Sequence, residues 1–311
     1  MTMTRSGILL IDKPEGPSSA QVVQRVKTLL QAKKVGHLGT LDPFASGLLL
    51  VGVNEGTKIA DIFLGGVKSY HGVIALGVET DTQDRTGKIL QERSVQPLDE
   101  IQLRSLEQKF TGELQQVPPM FSALKRDGVR LYRLARQGRE VPREPRQIRI
   151  DFLRLNQVSE TEVEFETTCS RGTYIRTLAA DIGKTLGCGA HLKILRRTAC
   201  DHLRVESAIG IDELENRCNT EVVPLLPLRE ALSHLPAVTW QSRYLARLRL
   251  GQQELLTQIA NPPDGKNLLG ILDPCGDLAV LVQWTEDIPG GRWRLYRTFQ
   301  SSALTSRRPI S

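Results

Sequence analysis

A chain of 311 residues with 40% hydrophobic and 24% charged residues has the size and balance of a globular protein of two domains with a sizeable core. No apolar run approaches the roughly 18 residues of a membrane helix, and the short run at 8–11 meets Asp12 and Lys13 at once, unlike a signal peptide; the expected compartment is the cytoplasm. The net charge of +6 is concentrated: nine basic residues face three acids between Pro118 and Arg149, while the remainder balances at 32 basic against 32 acidic.

Residues 8–11 read as a short strand, ended by a turn at 12–17 whose prolines and glycine forbid a helix. Lys13, before that turn, reads as solvated. A helix follows, capped by Ser18 or Ser19, with Val22, Val23, Val26, Leu29 and Leu30 at helical spacing and Gly36 beyond its end. The next stretch holds three glycines and Pro43 within twelve residues, so Asp42 sits on a shaped loop abutting a buried strand at 48–53. Proline holds the preceding aspartate in extended geometry, and the flanking glycines let another molecule come close. Taken alone, Asp42 organises its own turn and His37 is a loop histidine.

Residues 58–63 read as helical and 68–77, with Tyr70, as a strand. The acids of 79–87 do not make a calcium loop. Counting from Asp81, the third and fifth positions are Gln83 and Arg85 and the sixth is Thr86, so a turn between two strands is expected. A helix runs from Pro97 to Phe110. The basic segment then brings Lys125, Arg126, Arg130, Arg133 and Arg136, the last three on one helical face. Such one-signed, arginine-rich charge suits phosphate contacts better than a lattice of ion pairs.

Residues 162–168 alternate as a strand, and Thr173 is expected to cap a helix carrying Ile175, Leu178, Ile182 and Leu186, with Tyr174 and Arg176 in its first turn. Gly183-Lys184-Thr185 lies inside that helix and lacks the glycine a phosphate loop needs at Leu178. Five cysteines with no Cys-x-x-Cys pair suggest buried thiols rather than disulfides or zinc ligands. Prolines and leucines at 224–236 mark a boundary. Beyond it come a short helix with Tyr244, Leu245 and Leu248 and strands at 268–272, 278–284 and 293–299. Arg292, Arg294 and Arg297 beside Trp293 and Tyr296 fit either core aromatics with exposed arginines or an RNA contact.

Gly36-His37-Leu38-Gly39-Thr40-Leu41-Asp42-Pro43-Phe44-Ala45-Ser46-Gly47 resembles the signature loop of the TruB family of pseudouridine synthases, Gly-His-x-Gly-x-Leu-Asp-Pro-x-Ala-x-Gly, at every fixed position. Further motifs follow in order: Lys13-Pro14 with Gly16, Lys68-x-Tyr70-x-Gly72 with Thr80-Asp81-x-x-Asp84-x-x-Gly87, Ser170-x-Gly172-Thr173-Tyr174-Ile175-Arg176-Thr177, and Gly189-Ala190-His191-Leu192 with Leu195-Arg196-Arg197. Together they span residues 7–235; Phe121, commonly Tyr, and Pro142, commonly acidic, depart from the family pattern.

The resemblance implies an α+β fold, with a central mixed, largely antiparallel sheet flanked by helices in residues 1–235, an RNA-gripping thumb at 118–147, and a small PUA-like β-domain at 236–311. It implies Asp42 as nucleophile, Arg176 as its ion-pair partner, Tyr70, Tyr174 and Leu195 around the target uracil, and His37 filling the gap left by the extruded nucleotide. The expected substrate is uridine 55 in the T-arm of tRNA, and the expected reaction is an isomerisation with no cofactor, no metal and no obligatory protein partner. Rival readings are a guide-RNA-dependent synthase subunit, which the long basic insertion disfavours, and a non-catalytic tRNA-folding or RNA-binding protein.

Overall fold

Strands 48–53 and 8–11 are apolar on both faces because each is covered twice, and that double burial builds the molecule. The computed structural model describes residues 3–126, 128–220, 223–262, 267–287 and 290–300. The chain opens with β1 (Gly7–Lys13), α1 (Ser19–Leu30), β2 (Val35–His37), β3 (Ser46–Val53), α2 (Ala60–Gly65), β4 (Lys68–Leu76), β5 (Val78–Thr80) and β6 (Ile89–Glu92). It continues with α3 (Glu100–Lys109), β7 (Gly112–Gln116), β8 (Lys125–Arg126), β9 (Val129–Arg130), α4 (Leu131–Arg136), β10 (Arg146–Ser159), β11 (Glu162–Cys169), α5 (Ile175–Leu186), β12 (Ala190–Cys200) and β13 (Leu203–Arg204). Then follow α6 (Ile211–Thr220), α7 (Leu228–Ala231), β14 (Ala237–Thr239), α8 (Ser242–Arg249), β15 (Leu268–Leu272), β16 (Leu278–Thr285) and β17 (Arg292–Thr298).

The main sheet runs β1-β3-β12-β4-β11-β10-β7, with β2 added to β3 and β13 to β12. All its pairings are antiparallel except β3 with β12. That parallel contact is short, Ser46 opposite Arg196 and Gly47 opposite Arg197, and further along the same side of β3 its partner is β2, His37 opposite Val51. The sheet therefore forks, and residues 38–45, with Asp42, rise at the fork.

One face of the sheet is covered by α1 through Val22, Val26 and Leu30, by α5 through Ile175, Leu178 and Ile182, and by Leu106 of α3. The opposite face of β1 and β3, carrying Ile8, Leu10, Leu48 and Leu50, packs on Ile59, Phe63, Ala231 and Leu232. The same cluster takes in Leu278, Leu281 and Phe299. Leu278 and Leu281 belong to β16, and Phe299 directly follows β17, in a second sheet, β14-β15-β16-β17, which α8 covers from its far side through Leu245 and Leu248.

Several local expectations change. Lys13 is fully buried instead of solvated. The helix of residues 175–186 is not capped by Thr173, whose hydroxyl donates to the Ser170 carbonyl; Tyr174 precedes the helix without a side-chain cap. Cys169, Cys188 and Cys200 are buried thiols, whereas Cys275 is exposed. In β17, Trp293 is a core residue whose indole N–H donates to the Ala260 carbonyl at 2.9 Å. Arg292 and Arg294 pair with Asp287, and Arg297 pairs with Asp61 at 2.8 Å. No helix among the described residues is long and apolar enough to cross a membrane.

Candidate active site

The Asp42 loop is held at several backbone points. Ser18 caps α1 with its hydroxyl, which leaves Ser19 to turn inward, and the Ser19 hydroxyl donates to the Leu41 carbonyl while accepting from the Leu41 N–H, both at 2.8 Å. From the preceding turn, the Gly16 N–H donates to the Pro43 carbonyl at 2.8 Å. The Lys13 ammonium donates to the carbonyls of Pro14 (2.7 Å), Pro17 (2.9 Å) and Pro43 (3.3 Å). Three acceptors make burial of that ammonium tolerable. Burial still lowers its pKa to about 8, partly opposed by Glu15 and Asp42.

Arg197 braces the other side. It is 2% exposed, and its guanidinium donates to the carbonyls of Leu48 (2.7 Å), Thr40 (3.2 Å) and Gly39 (3.1 Å), tying both ends of the loop to β12. Gly47, at φ +99°, makes this approach possible, since a Cβ there would lie 2.3 Å from the Arg197 carbonyl oxygen.

The Asp42 carboxylate, 38% exposed, faces Arg176 from α5, whose Nε lies 2.9 Å from Oδ2. Arg176 is itself buried. Its Nη1 donates to the Thr82 carbonyl at 3.0 Å and sits 3.5 Å from Asp84, and its Nη2 donates to the Phe121 carbonyl at 2.9 Å. Asp84 is fixed in turn by the Thr86 N–H (2.9 Å) and by the hydroxyls of Thr86 (2.5 Å) and Thr82 (2.9 Å). Burial pushes the Asp42 carboxyl above its usual range, Arg176 opposes that shift and Asp84 adds to it.

Of the other residues singled out by sequence, Tyr174 is within electrostatic reach of Asp42 and Arg176, while Tyr70 and His37 are within reach of Arg197. Leu195 belongs to the apolar cluster that also holds Leu41, Phe44 and Ile175, with Tyr70 packed against it, and Tyr70 lies opposite Arg197 in the β4–β12 pairing. Burial raises the pKa of Tyr70 and of Tyr174, keeping both phenols protonated. Tyr174 is positioned through its backbone, its N–H donating to the Gln116 side-chain oxygen (2.8 Å) and its carbonyl accepting from the Gln116 amide (3.1 Å). His37 has a buried Nδ1 without a hydrogen-bond partner, and burial, aided by Arg197, lowers its pKa.

The basic segment leaves the body at Phe121, the residue bonded to Arg176. It forms the β8–β9 hairpin and α4, in which Leu131 and Leu134 point inward while Arg130, Arg133 and Arg136 are exposed. These three arginines have no carboxylate partner among the described residues, and Arg136 lies over the Tyr132 ring at 5.6 Å. Arg126 reaches the Pro142 carbonyl. The Lys125 side chain lies outside the described residues. Sequence reasoning named Ser19 only as a possible helix cap and Asp84 and Arg197 only as motif positions, giving none of them a part in the site, and it misread Lys13. Asp84, Arg197 and Lys13 carried a signal in their place inside the ordered motifs, and Ser19 carried only that of a helix cap.

The fold is that of the pseudouridine synthases. The chain superimposes on Cbf5 in an archaeal box H/ACA sRNP Nop10-Cbf5 complex with a TM-score of 0.69 at 23% identity, covering 94% of this chain and 86% of the other. It does so equally on an H/ACA RNP bound to a substrate RNA, with a TM-score of 0.70 at 23% identity and coverage of 95% and 85%. Residues 27–175 match the TruB family pseudouridylate synthase N-terminal domain, and residues 176–233 match the tRNA pseudouridylate synthase B C-terminal domain. A tRNA pseudouridine synthase B of Burkholderia mallei is 46% identical over 259 residues, 83% of this chain and 85% of that protein. One of Nitrosococcus oceani is 44% identical over 256 residues, 81% and 83% of the two chains. This chain belongs to the TruB family of pseudouridine synthases.

Proposed function

We propose that this enzyme converts uridine 55 in the T-arm of tRNA to pseudouridine, with Asp42 as the nucleophile. The observation that carries the reading is the 2.9 Å pair between Asp42 and a buried Arg176, on a loop braced from both sides. In the reaction the bond from ribose C1′ to uracil N1 breaks, the base turns, and C5 bonds to C1′. The C5 proton leaves and N1 gains one, so atoms balance without oxidant or reductant. A carboxylate held beside a guanidinium is a nucleophile for that step, and the rigid loop supplies its orientation.

The target base must leave its stack, at a cost of a few kcal/mol, and stacking on an aromatic ring, worth roughly 1 to 3 kcal/mol per base, offsets this. Tyr70 is the platform in our reading, with Tyr174 and Leu195 completing the pocket. The unpartnered Nδ1 suits His37 to the gap the base leaves. Arg126, Arg130, Arg133 and Arg136, with Lys125, form the thumb on the RNA backbone within a catalytic domain of residues 1–235, and the enzyme works in the cytoplasm without a guide RNA or obligatory partner. The tRNA substrate follows the relatives at 44–46% identity, whose names state it.

The test is a T-arm stem-loop carrying tritium at uridine C5, incubated with the protein alone. Stoichiometric release of tritium from the one labelled uridine is expected, and retention of the label would refute the reading.

A further inference from the structure

Among the described residues, three buried side-chain atoms stand without a hydrogen-bond partner, on His37, Arg143 and Ser122. His37 belongs to the Asp42 loop, and the Arg143 guanidinium is otherwise bonded, to the Pro118 carbonyl at 3.1 Å and to Glu140 at 3.0 Å. Ser122 is the case left over. It is 4% exposed, and its whole polar group is the orphan. A buried hydroxyl left unpaired works against folding, and the great majority in native proteins are paired, so this one calls for a reason.

The neighbour on which it acts is the Tyr174 phenol. Burial raises the pKa of that phenol, the Ser122 hydroxyl opposes the rise ahead of Arg146 and Arg176, and Asp42 adds to it. The two hydroxyls are thus neighbours that stop short of a hydrogen bond. Neither backbone is free to drift. Gln116 holds the Tyr174 N–H and carbonyl. The Ser122 N–H donates to the Met120 carbonyl at 2.9 Å, and its carbonyl accepts from the Tyr132 N–H of α4 at 3.1 Å. The adjacent Phe121 carbonyl accepts from Arg176 Nη2 at 2.9 Å. Two consecutive residues therefore join the basic helix, the guanidinium paired with Asp42 and the orphan hydroxyl.

We propose that Ser122 is a positioning residue for the isomerisation: with RNA seated, its hydroxyl bonds the Tyr174 phenol and fixes that ring beside Asp42 and Arg176. Closing the hydroxyl pair takes only side-chain rotation, because both backbones are already pinned. A base filling the pocket excludes water from the pair and strengthens it. The contact is made only in the loaded enzyme, so it serves turnover and not the resting fold. This rests on the reading of Tyr174 as a wall of the base pocket.

The test compares the full chain with Ser122→Ala, Tyr174→Phe and the two together, on a whole tRNA transcript carrying tritium at C5 of every uridine. Ser122→Ala should lower kcat about tenfold while KM stays within about twofold. Its Tm should be equal or higher, since an unpaired buried hydroxyl is removed. Tyr174→Phe should lower kcat by a similar factor, and the double variant should be no slower than the slower single one, because both changes delete the same contact. A normal kcat in either single variant would overturn the proposal. Losses that multiply in the double variant would also overturn it and place the Ser122 hydroxyl on the RNA itself, and a lowered Tm with Ser122→Ala would overturn it by assigning the residue to the fold. Release only from uridines outside the T-arm would overturn the T-arm reading instead, while the comparison of variants still decides on Ser122.

Discussion

Asp42 is subject to opposing influences whose separate removal is measurable. Burial raises its pKa, Arg176 pulls it down and Asp84 pushes it up. Arg176→Gln should therefore move the acidic limb of the kcat/KM profile to higher pH and lower kcat/KM by about a hundredfold or more. Asp84→Asn removes a repelling charge, so the limb should move to lower pH while the loosened Arg176 still reduces the rate. Shifts of the same sign in both variants would contradict this arrangement. The stability sign is also fixed. A carboxyl whose folded pKa is raised stabilises the fold below its unfolded pKa, and that contribution is lost as pH rises through the folded value. At neutral pH the Asp42 charge thus works against the fold, and Asp42→Asn should leave Tm equal or higher, so a lowered Tm there would speak against it. Asp42 and Arg176 were legible because each sits at a fixed place in a motif. Lys13 was not, because its burial depends on a carbonyl at Pro43, thirty residues away.

The fork in the main sheet is the element that places the site. β3 leaves β2 and meets β12 over only two residue pairs, and Gly47 sits in that contact with positive φ. Gly47→Ala meets both a strained backbone and a 2.3 Å approach to Arg197, so it should destabilise by about 3 kcal/mol or more and release the Asp42 loop, as read by denaturant midpoint and by activity. A variant of normal stability would remove Gly47 from this role. The strand at 48–53 was readable from its unbroken apolar run and the helix of residues 19–30 from its spacing. The fork was not, since pairing of Gly47 with Arg197 joins residues 150 apart that show no local periodicity.

Charge and domain contact act at the scale of the whole molecule. The excess positive charge of residues 118–149 was countable in the sequence, and the structure presents Arg130, Arg133 and Arg136 of it on an exposed lobe that follows Phe121, which bonds to Arg176, while Arg146 and Arg149 lie in β10. Neutralising Arg130, Arg133 and Arg136 together to Gln should weaken tRNA binding and reduce the salt slope by about three, measured by filter binding across a salt series. An unaltered slope would place the RNA elsewhere. Docking of the C-terminal module was not legible. It rests on Phe299 and Leu281 joining Ile8 and Phe63, with Arg297 on Asp61, contacts spanning most of the chain. The proposal that Asp42 performs the chemistry on one uridine of the T-arm is tested most directly by mapping pseudouridine along an unmodified tRNA transcript after incubation with the protein or with Asp42→Asn and nothing else. The account predicts a single pseudouridine at position 55 with the first and none with the second, although the second still binds the tRNA. Pseudouridine formed by Asp42→Asn, or formed by the unaltered protein only outside the T-arm, would contradict it.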